Sequence, residues 1–395
     1  MTELIAPSDE IALVAAVHDA MSSKTPIAIR GGGTRSGLGR PVQAARTLTT
    51  ERLTGVTLLE PAELVVSARA GTPVAEVEAA LSQAGQRLAF EPFDHRPLYG
   101  GNGAEPTIGG LVATNASGPR RVIAGAARDA LIGVRLATGR GEIIRSGGRV
   151  MKNVTGYDLV KLACGSYGTI GVVTEATFKT LPIPESELTL VLEGLDDARA
   201  VEALSAAMGS PFEPSGAAHL PGSAGAPSRT VLRLENFESQ LLYRAGELEK
   251  LLRPYGAAGR LEAQASRALW REIRDAAPLL GDPTRAVWRI SIAPSRAAAL
   301  VASLGDLVAA RLYDWSGGLI WIATEPSADA GAARLRPLVR AARGHATLMR
   351  APAPVRASVE VFEPEAPALA RLVREVTLAF DPAGVLNPGL THARH

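Results

Sequence analysis

Eleven residues near the N-terminus, Arg30 to Arg40 (RGGGTRSGLGR), restrict this chain more than any other stretch. The apolar run Pro26-Ile27-Ala28-Ile29 has strand character, so three consecutive glycines arrive where a buried strand should surface. With no Cβ in the way, the backbone N–H groups of Gly31, Gly32, Gly33, Thr34 and Arg35 can converge on one anion, and a phosphate is the natural guest. Two familiar phosphate loops do not fit. No Lys followed by Ser or Thr closes a P-loop frame. The dinucleotide fingerprint needs a helix behind its glycines, whereas this loop runs into Leu38-Gly39-Arg40-Pro41 with no helical period. Taken alone the stretch is equally a glycine-rich surface turn, and its weight depends on the rest of the sequence.

The size of the chain allows two or three domains: it has 395 residues, 46% of them hydrophobic. Basic and acidic residues nearly balance, 42 against 40, without a basic block or aromatic-studded basic run, which argues against a nucleic-acid partner. No apolar run approaches the ~20 residues that span a bilayer, so no transmembrane segment is expected. The opening MTELIAPSDE lacks the basic flank and apolar stretch of a leader, and the expected location is cytoplasmic. A single cysteine, Cys164, excludes an internal disulfide, and it cannot hold an iron–sulfur cluster, which needs about four thiolates. We read it as a small buried hydrophobe. The six histidines give no support for a zinc site, so no metal is expected.

In chain order, Ser8 is the expected cap of a helix to Ser23 with Ile11, Val14, Val17 and Met21 on one stripe. Val56 to Leu59 and Leu64 to Ala68 read as paired strands across a turn. Thr72-Pro73 then starts a helix that buries Val74, Val77 and Leu81 and ends at Gly85. Thr107 to Pro119 is dominated by small residues, which fits close approach of a flat group or another backbone and equally fits tight helix packing. Leu131 to Ala137 and Glu142 to Arg145 suggest a hairpin, Tyr157 to Ala163 a short helix that Tyr157 and Asp158 cap, and Val172 to Leu181 a strand. Beyond Glu185 short strands and helices alternate, which points to an α+β second domain, with Gly209 to Arg229 as a linker or long loop. A helix from Pro367 to Phe380 leads into the turn cluster Asp381 to Gly389.

Four ordered blocks carry a resemblance: Gly31-Gly32-Gly33-Thr34; Thr107-Ile108-Gly109-Gly110 with Ser117-Gly118-Pro119; Gly165-Ser166-Tyr167-Gly168-Thr169-Ile170-Gly171-Val172; and Asp381-Pro382 to Asn387-Pro388-Gly389. Together they resemble flavoproteins of the vanillyl-alcohol oxidase and D-lactate dehydrogenase type. The phrases VMKNVTGYDL, Trp288-Arg289-Ile290-Ser291, Asp314-Trp315-Ser316-Gly317-Gly318 and Gly344-His345-Ala346-Thr347 are similar to those of flavoprotein subunits of glycolate oxidase complexes. The implied fold is α+β: a two-subdomain PCMH-type FAD-binding domain (residues 1–185), an α+β cap or substrate domain (186–350), and a C-terminal segment (351–395) returning to the flavin.

The implied cofactor is noncovalent FAD, since Thr34-Arg35 stand where some relatives attach flavin through histidine. Carried over by position, Gly31, Gly32, Gly33, Thr34, Arg35 and Ser36 would hold the pyrophosphate. Thr107, Ile108, Gly109, Gly110, Thr114, Asn115, Ala116 and Ser117 would line its middle and flavin end. Gly168, Thr169, Ile170, Gly171, Val172 and Val173, with Tyr167 before them, would clasp the adenosine side, and Asn387 would approach the flavin ring from the second domain.

Relatives of the D-lactate and D-2-hydroxyglutarate dehydrogenase type share a His-x-Gly-Asp-Gly-x-x-His stretch and a Glu-His-Gly stretch, and this chain has neither. Oxidation of a 2-hydroxy acid needs a base near the hydroxyl and a cation for the carboxylate. By family phrase the stand-ins are His345 and Arg289, against the plainer readings of a structural histidine and a salt-bridging arginine. Lys152 is a polar loop residue that either lies near the flavin or positions its loop.

The resemblance implies a subunit oxidising glycolate or a similar short 2-hydroxy acid to the 2-oxo acid. The implied partners are a larger homologous flavoprotein subunit and an iron–sulfur subunit that takes the electrons, with peripheral association at the inner membrane through that complex. The rival reading is a flavin-binding assembly or electron-relay subunit without turnover of its own.

Overall fold

The computed structural model describes residues 3–101, 103–148, 157–223 and 225–392; Lys152 lies outside them. The chain divides into two units. The first comprises Met1–Ser117, Gly125–Ile183 and Pro364–His395, and the second Gly118–Ala124 and Pro184–Glu363. The divisions fall near 183 and 363, beside the 185 and 350 read from the sequence, and 118–124 falls in the second unit.

In the first unit, three parallel strands run in the order Glu3–Ile5, Arg46–Thr49, Ile27–Arg30. Five antiparallel strands follow the order Val56–Glu60, Val65–Arg69, Val172–Lys179, Leu131–Ala137, Ile143–Gly147. The two expected hairpins are present, with Leu59 opposite Val66 and Val134 opposite Ser146. These strands contribute Val66, Val134, Val173 and Phe178 to a shared core. The first helix is Glu10–Ser23, and Asp9, rather than Ser8, caps it by accepting from the Ala12 N–H at 2.8 Å. Its buried face is Leu13, Val17 and Ala20, while Ile11 stays 83% exposed. The stripe read from the sequence was therefore rotated by part of a turn. The second helix, Val74–Gln83, buries Val74, Val77 and Leu81 as read. Thr72 is not its cap: its Oγ1 accepts from Gly55 N–H and so ties down a neighbouring loop. Asp158, but not Tyr157, caps the short Leu159–Ala163 helix by accepting from Lys161 N–H.

The second unit is built on one antiparallel sheet of eight strands, ordered Gly259–Glu262, Ser186–Glu193, Arg229–Asn236, Gly216–Leu220, Val308–Asp314, Leu319–Thr324, Ala286–Ser291, His345–Arg350. The stretch expected to be a linker, Gly209 to Arg229, contains the Gly216–Leu220 strand, all five residues of which are buried. Glycine, two alanines and a histidine hide its strand character, because small residues carry little β-propensity of their own. His219 is tolerated there because its Nδ1 meets Thr230 Oγ1 at 2.9 Å, and Asp197 lies 3.4 Å from its Nε2.

Candidate functional site

The strand Ile27–Arg30 ends at the rim of a cleft of about 330 Å³ within the first unit. Five segments line it: Ala28 to Ser36, Leu38 to Thr50, Thr107 to Thr114, Tyr167 to Val173, and the C-terminal turn at Asn387 and Leu390. Each of these carries part of a block singled out in the sequence.

The Gly loop forms one wall. Among the described residues, none accepts a hydrogen bond from the backbone N–H of Gly31, Gly32, Gly33, Thr34 or Arg35. A run of unspent amides beside a cleft is a ready anion nest, because part-buried N–H groups need an acceptor. The loop keeps this form by packing without side chains. A Cβ on Gly31 would fall 2.2 Å from Thr107 Oγ1, and one on Gly32 would fall 1.9 Å from the Glu105 carbonyl oxygen. Gly33 has φ +81°, a conformation that side chains strain.

Opposite the loop, Thr107 caps the helix Ile108–Thr114 through its Oγ1, which accepts from Gly110 N–H at 3.4 Å. The helix ends in left-handed Asn115, and its last carbonyls are taken by the next segment, Gly165 N–H to Val112 O and Tyr167 N–H to Ala113 O, both at 2.9 Å. The small-residue stretch is thus both a packed helix and a cleft wall, which unites the two readings left open in the sequence.

The chain's end is stitched to the same strand. Ile27 N–H donates to Val385 O at 2.8 Å and Asn387 N–H to Ile27 O at 2.9 Å. The Asn387 side chain, 5% exposed, accepts from Ile29 N–H at 2.7 Å and donates to Tyr167 O at 2.8 Å. Asn387 therefore belongs to the first unit and clamps two walls of the cleft, where the sequence reading had it arriving from the second domain.

Fifteen of the sequence-derived cofactor positions line this cleft: Gly31, Gly32, Gly33, Thr34, Arg35, Ser36, Thr107, Gly109, Gly110, Thr114, Gly168, Gly171, Val172, Val173 and Asn387. Six do not. Ile108, Ala116 and Ile170 are buried apolar residues. Asn115 accepts from Arg128 N–H, Ser117 Oγ accepts from Ala127 N–H, and Thr169 Oγ1 donates to Ser166 O. These six support the walls from behind. Sequence reading missed Arg30, Leu38, Arg40, Thr47 and Thr50. The strand before the loop and the basic residues flanking it were the available signal.

The two positions read as catalytic lie in the second unit on adjacent strands, with Arg289 opposite Thr347 and Ser291 opposite His345. The Arg289 guanidinium sits 5.1 Å from the centroid of the Trp315 ring, and that of Arg121 sits 4.8 Å from it. Trp315 and Ser316 both have left-handed backbones, with φ of 50° and 59°, a strained turn of the kind that clusters at functional sites. His345 is held below its ordinary value by partial desolvation, then by the cations of Arg289 and Arg121. Its ring thus holds a proton less readily than a free imidazole. Arg121 and Trp315 were not read as site residues, and nothing in the local pattern around Arg121 marks it.

A fused heterocyclic nucleotide with a diphosphate fits the first cleft, since the amide nest and the glycine-lined walls suit a phosphate pair and close approach of a flat group. A family profile described as FAD binding domain matches residues 2–147. The glycolate oxidase subunit GlcE of Escherichia coli (strain K12) is 35% identical over 382 residues, covering 97% of both chains. The glycolate oxidase subunit GlcD of Bacillus subtilis (strain 168) is 32% identical over 191 residues, 48% of this chain and 38% of its own. Among solved structures, p-cresol methylhydroxylase with substrate bound shares the fold, with a TM-score of 0.74 at 13% identity over 99% of this chain and 88% of that one.

Proposed function

The chain belongs to the glycolate oxidase subunit GlcE family, an FAD-linked oxidoreductase family, and from that premise we propose that it is the FAD-binding subunit of a complex oxidising glycolate or a related short 2-hydroxy acid to the 2-oxo acid. The observation that carries this reading is the run of unspent amides from Gly31 to Arg35 lining a cleft in the segment that matches an FAD binding domain.

FAD supplies a two-electron acceptor when bound. The fifteen cleft positions hold it without a covalent link, Thr34 standing where a histidine would attach it. In the second unit, Arg289 and Arg121 bind the substrate carboxylate by charge-assisted hydrogen bonds. His345, its proton affinity lowered by desolvation first and then by these cations, is available to take the hydroxyl proton. The one cysteine of the sequence cannot ligate an iron–sulfur cluster. Electrons therefore leave to an iron–sulfur partner subunit, beside a larger flavoprotein subunit. No helix among the described residues is long and apolar enough to cross a membrane, and we infer that any membrane association runs through the complex.

A second reading is favoured by one observation: among the described residues there is no group of His, Cys, Asp and Glu that could hold a metal ion. In that reading the chain binds flavin for assembly or electron relay and turns over no substrate itself. The two separate in an anaerobic titration of the purified chain with glycolate. Bleaching of the oxidised flavin band without partners establishes turnover here, while a spectrum that bleaches only after the larger subunit is added establishes the relay. Acid precipitation tests the attachment, and flavin that stays with the pellet rules out the noncovalent assignment.

A further inference from the structure

We infer that His95 is a positioning residue that holds Arg35 in place as the counter-charge for the diphosphate of the flavin nucleotide. The inference rests on the FAD reading of the cleft and deepens it.

Arg35 lines the cleft among the glycines. Its Nε donates to His95 Nδ1 at 3.1 Å, so the His95 proton sits on Nε2. Neither Nη nitrogen has an acceptor among the described residues, and none of their carboxylates lies within 4 Å of this guanidinium. The nearest candidate, Asp94, is spent on Arg96, which it grips through both oxygens while also accepting the Arg96 N–H. Burial pulls the Arg35 guanidinium down to about 10, with Tyr99 and Asp94 opposing that from a distance. It therefore stays charged at neutral pH. A part-buried cation whose Nη donors lack an anion is costly unless a ligand supplies one.

The support behind it is rigid. His95 is 4% exposed, its ring meets Phe93 edge-on at 4.4 Å, and it lies parallel to Tyr99 with centroids 6.3 Å apart. Two glycines, Gly110 of the cleft wall and Gly37 of the loop, make room for this assembly. A Cβ on Gly110 would fall 2.9 Å from Arg35 Nη1, and one on Gly37 would fall 2.3 Å from Tyr99 Cδ1. These glycines thus serve a side chain, while Gly31 and Gly32 serve the backbone nest. Held at Nε, the guanidinium can turn only its Nη edge to the cleft, the geometry that suits phosphate oxygens.

The test is FAD titration of the flavin-free full chain, followed by flavin fluorescence across a range of salt concentrations. Arg35→Met is expected to weaken FAD about ten- to a hundredfold, the size of a charged hydrogen bond, and to flatten the salt dependence. His95→Leu should weaken it in the same direction, His95→Asn should restore it because the amide oxygen can accept from Nε, and Arg35→Met/His95→Leu should be no weaker than Arg35→Met. Arg35→Met with wild-type affinity and salt slope, or His95→Asn as weak as His95→Leu, overturns the inference. Should His95→Leu not fold, the Arg35→Met salt slope still decides. A wild-type chain that does not bind FAD sinks the cofactor reading itself, which is a separate outcome.

Discussion

The cleft of the first unit and the Trp315 face of the second are built from different materials. The cleft is made of backbone: unspent amides, glycines at close approach, and carbonyls that Asn387 and the Gly165–Tyr167 segment tie together. The Trp315 face is made of long side chains from separate stretches, Arg121 and Arg289 over one indole, with His345 feeling both charges. A backbone site needs contiguous runs of permissive residues, so it leaves a readable trace. A side-chain site needs only one residue from each strand that passes, and leaves almost none.

The sharpest break in that comparison is a single methyl group. In Gly32→Ala the new carbon would meet the Glu105 carbonyl oxygen at 1.9 Å, a backbone atom that cannot swing away. The loop must move, and the amide nest with it. The obstacle is the protein's own backbone rather than the phosphate. Gly32→Ala and, more severely, Gly32→Val are expected to lose FAD by a factor of about a hundred or more. A titration showing full flavin occupancy in Gly32→Ala removes the loop from the site.

Next in size is Asn387→Leu. The leucine can neither accept from Ile29 N–H nor donate to Tyr167 O, and both contacts are part-buried. Unsatisfied buried groups cost about 1–3 kcal/mol each, so a loss of roughly 2–4 kcal/mol in unfolding free energy is expected by chemical denaturation. The left-handed backbone at Asn387 adds to the strain, since Asn tolerates that region better than Leu. A variant as stable as wild type means that the C-terminal turn is not fastened to the cleft through this side chain.

How far each region could be read follows from the same contrast. The Gly loop and the NPG turn were legible because glycine and proline act locally. The helix Pro367–Phe380 even has the bounds read from the sequence. The Gly216–Leu220 strand was not legible, because its burial comes from neighbours distant in sequence and its residues are small. The rotated stripe of the first helix has a related cause: alanine at 12, 15, 16 and 20 lets several faces pass as apolar, and tertiary packing chose Leu13, Val17 and Ala20. Six of the expected cofactor positions, Asn115 and Ser117 among them, do not line the cleft, because a motif marks a segment and not which way each side chain in it points.

The side-chain site can be tested apart from the cofactor. Arg289→Gln removes one of two cations beside Trp315, and is expected to raise the KM for the 2-hydroxy acid about tenfold while leaving FAD affinity unchanged. Arg121→Gln should act in the same direction. If both variants keep a wild-type KM, the Trp315 face has no part in binding the carboxylate, and the second unit's role is structural.

The smallest effect is also the most specific. His345 is held below its ordinary value of 6.5 by desolvation first and by Arg289 second, with Arg121 acting more weakly and Glu363 opposing them. Because the folded chain takes up this proton at lower pH than the unfolded one, the unfolded state binds more protons in the interval between the two values. Stability must then fall as pH drops through that interval and hold steady above it. Removing the Arg289 charge takes away one of the opposing cations, so in Arg289→Gln the His345 resonance should titrate closer to the ordinary value, and in Arg121→Gln by a smaller step in the same direction. A histidine-resolved NMR titration reads both steps at once. If neither variant moves the midpoint upward, the two guanidiniums do not face His345, and its assignment to the hydroxyl proton loses its physical basis.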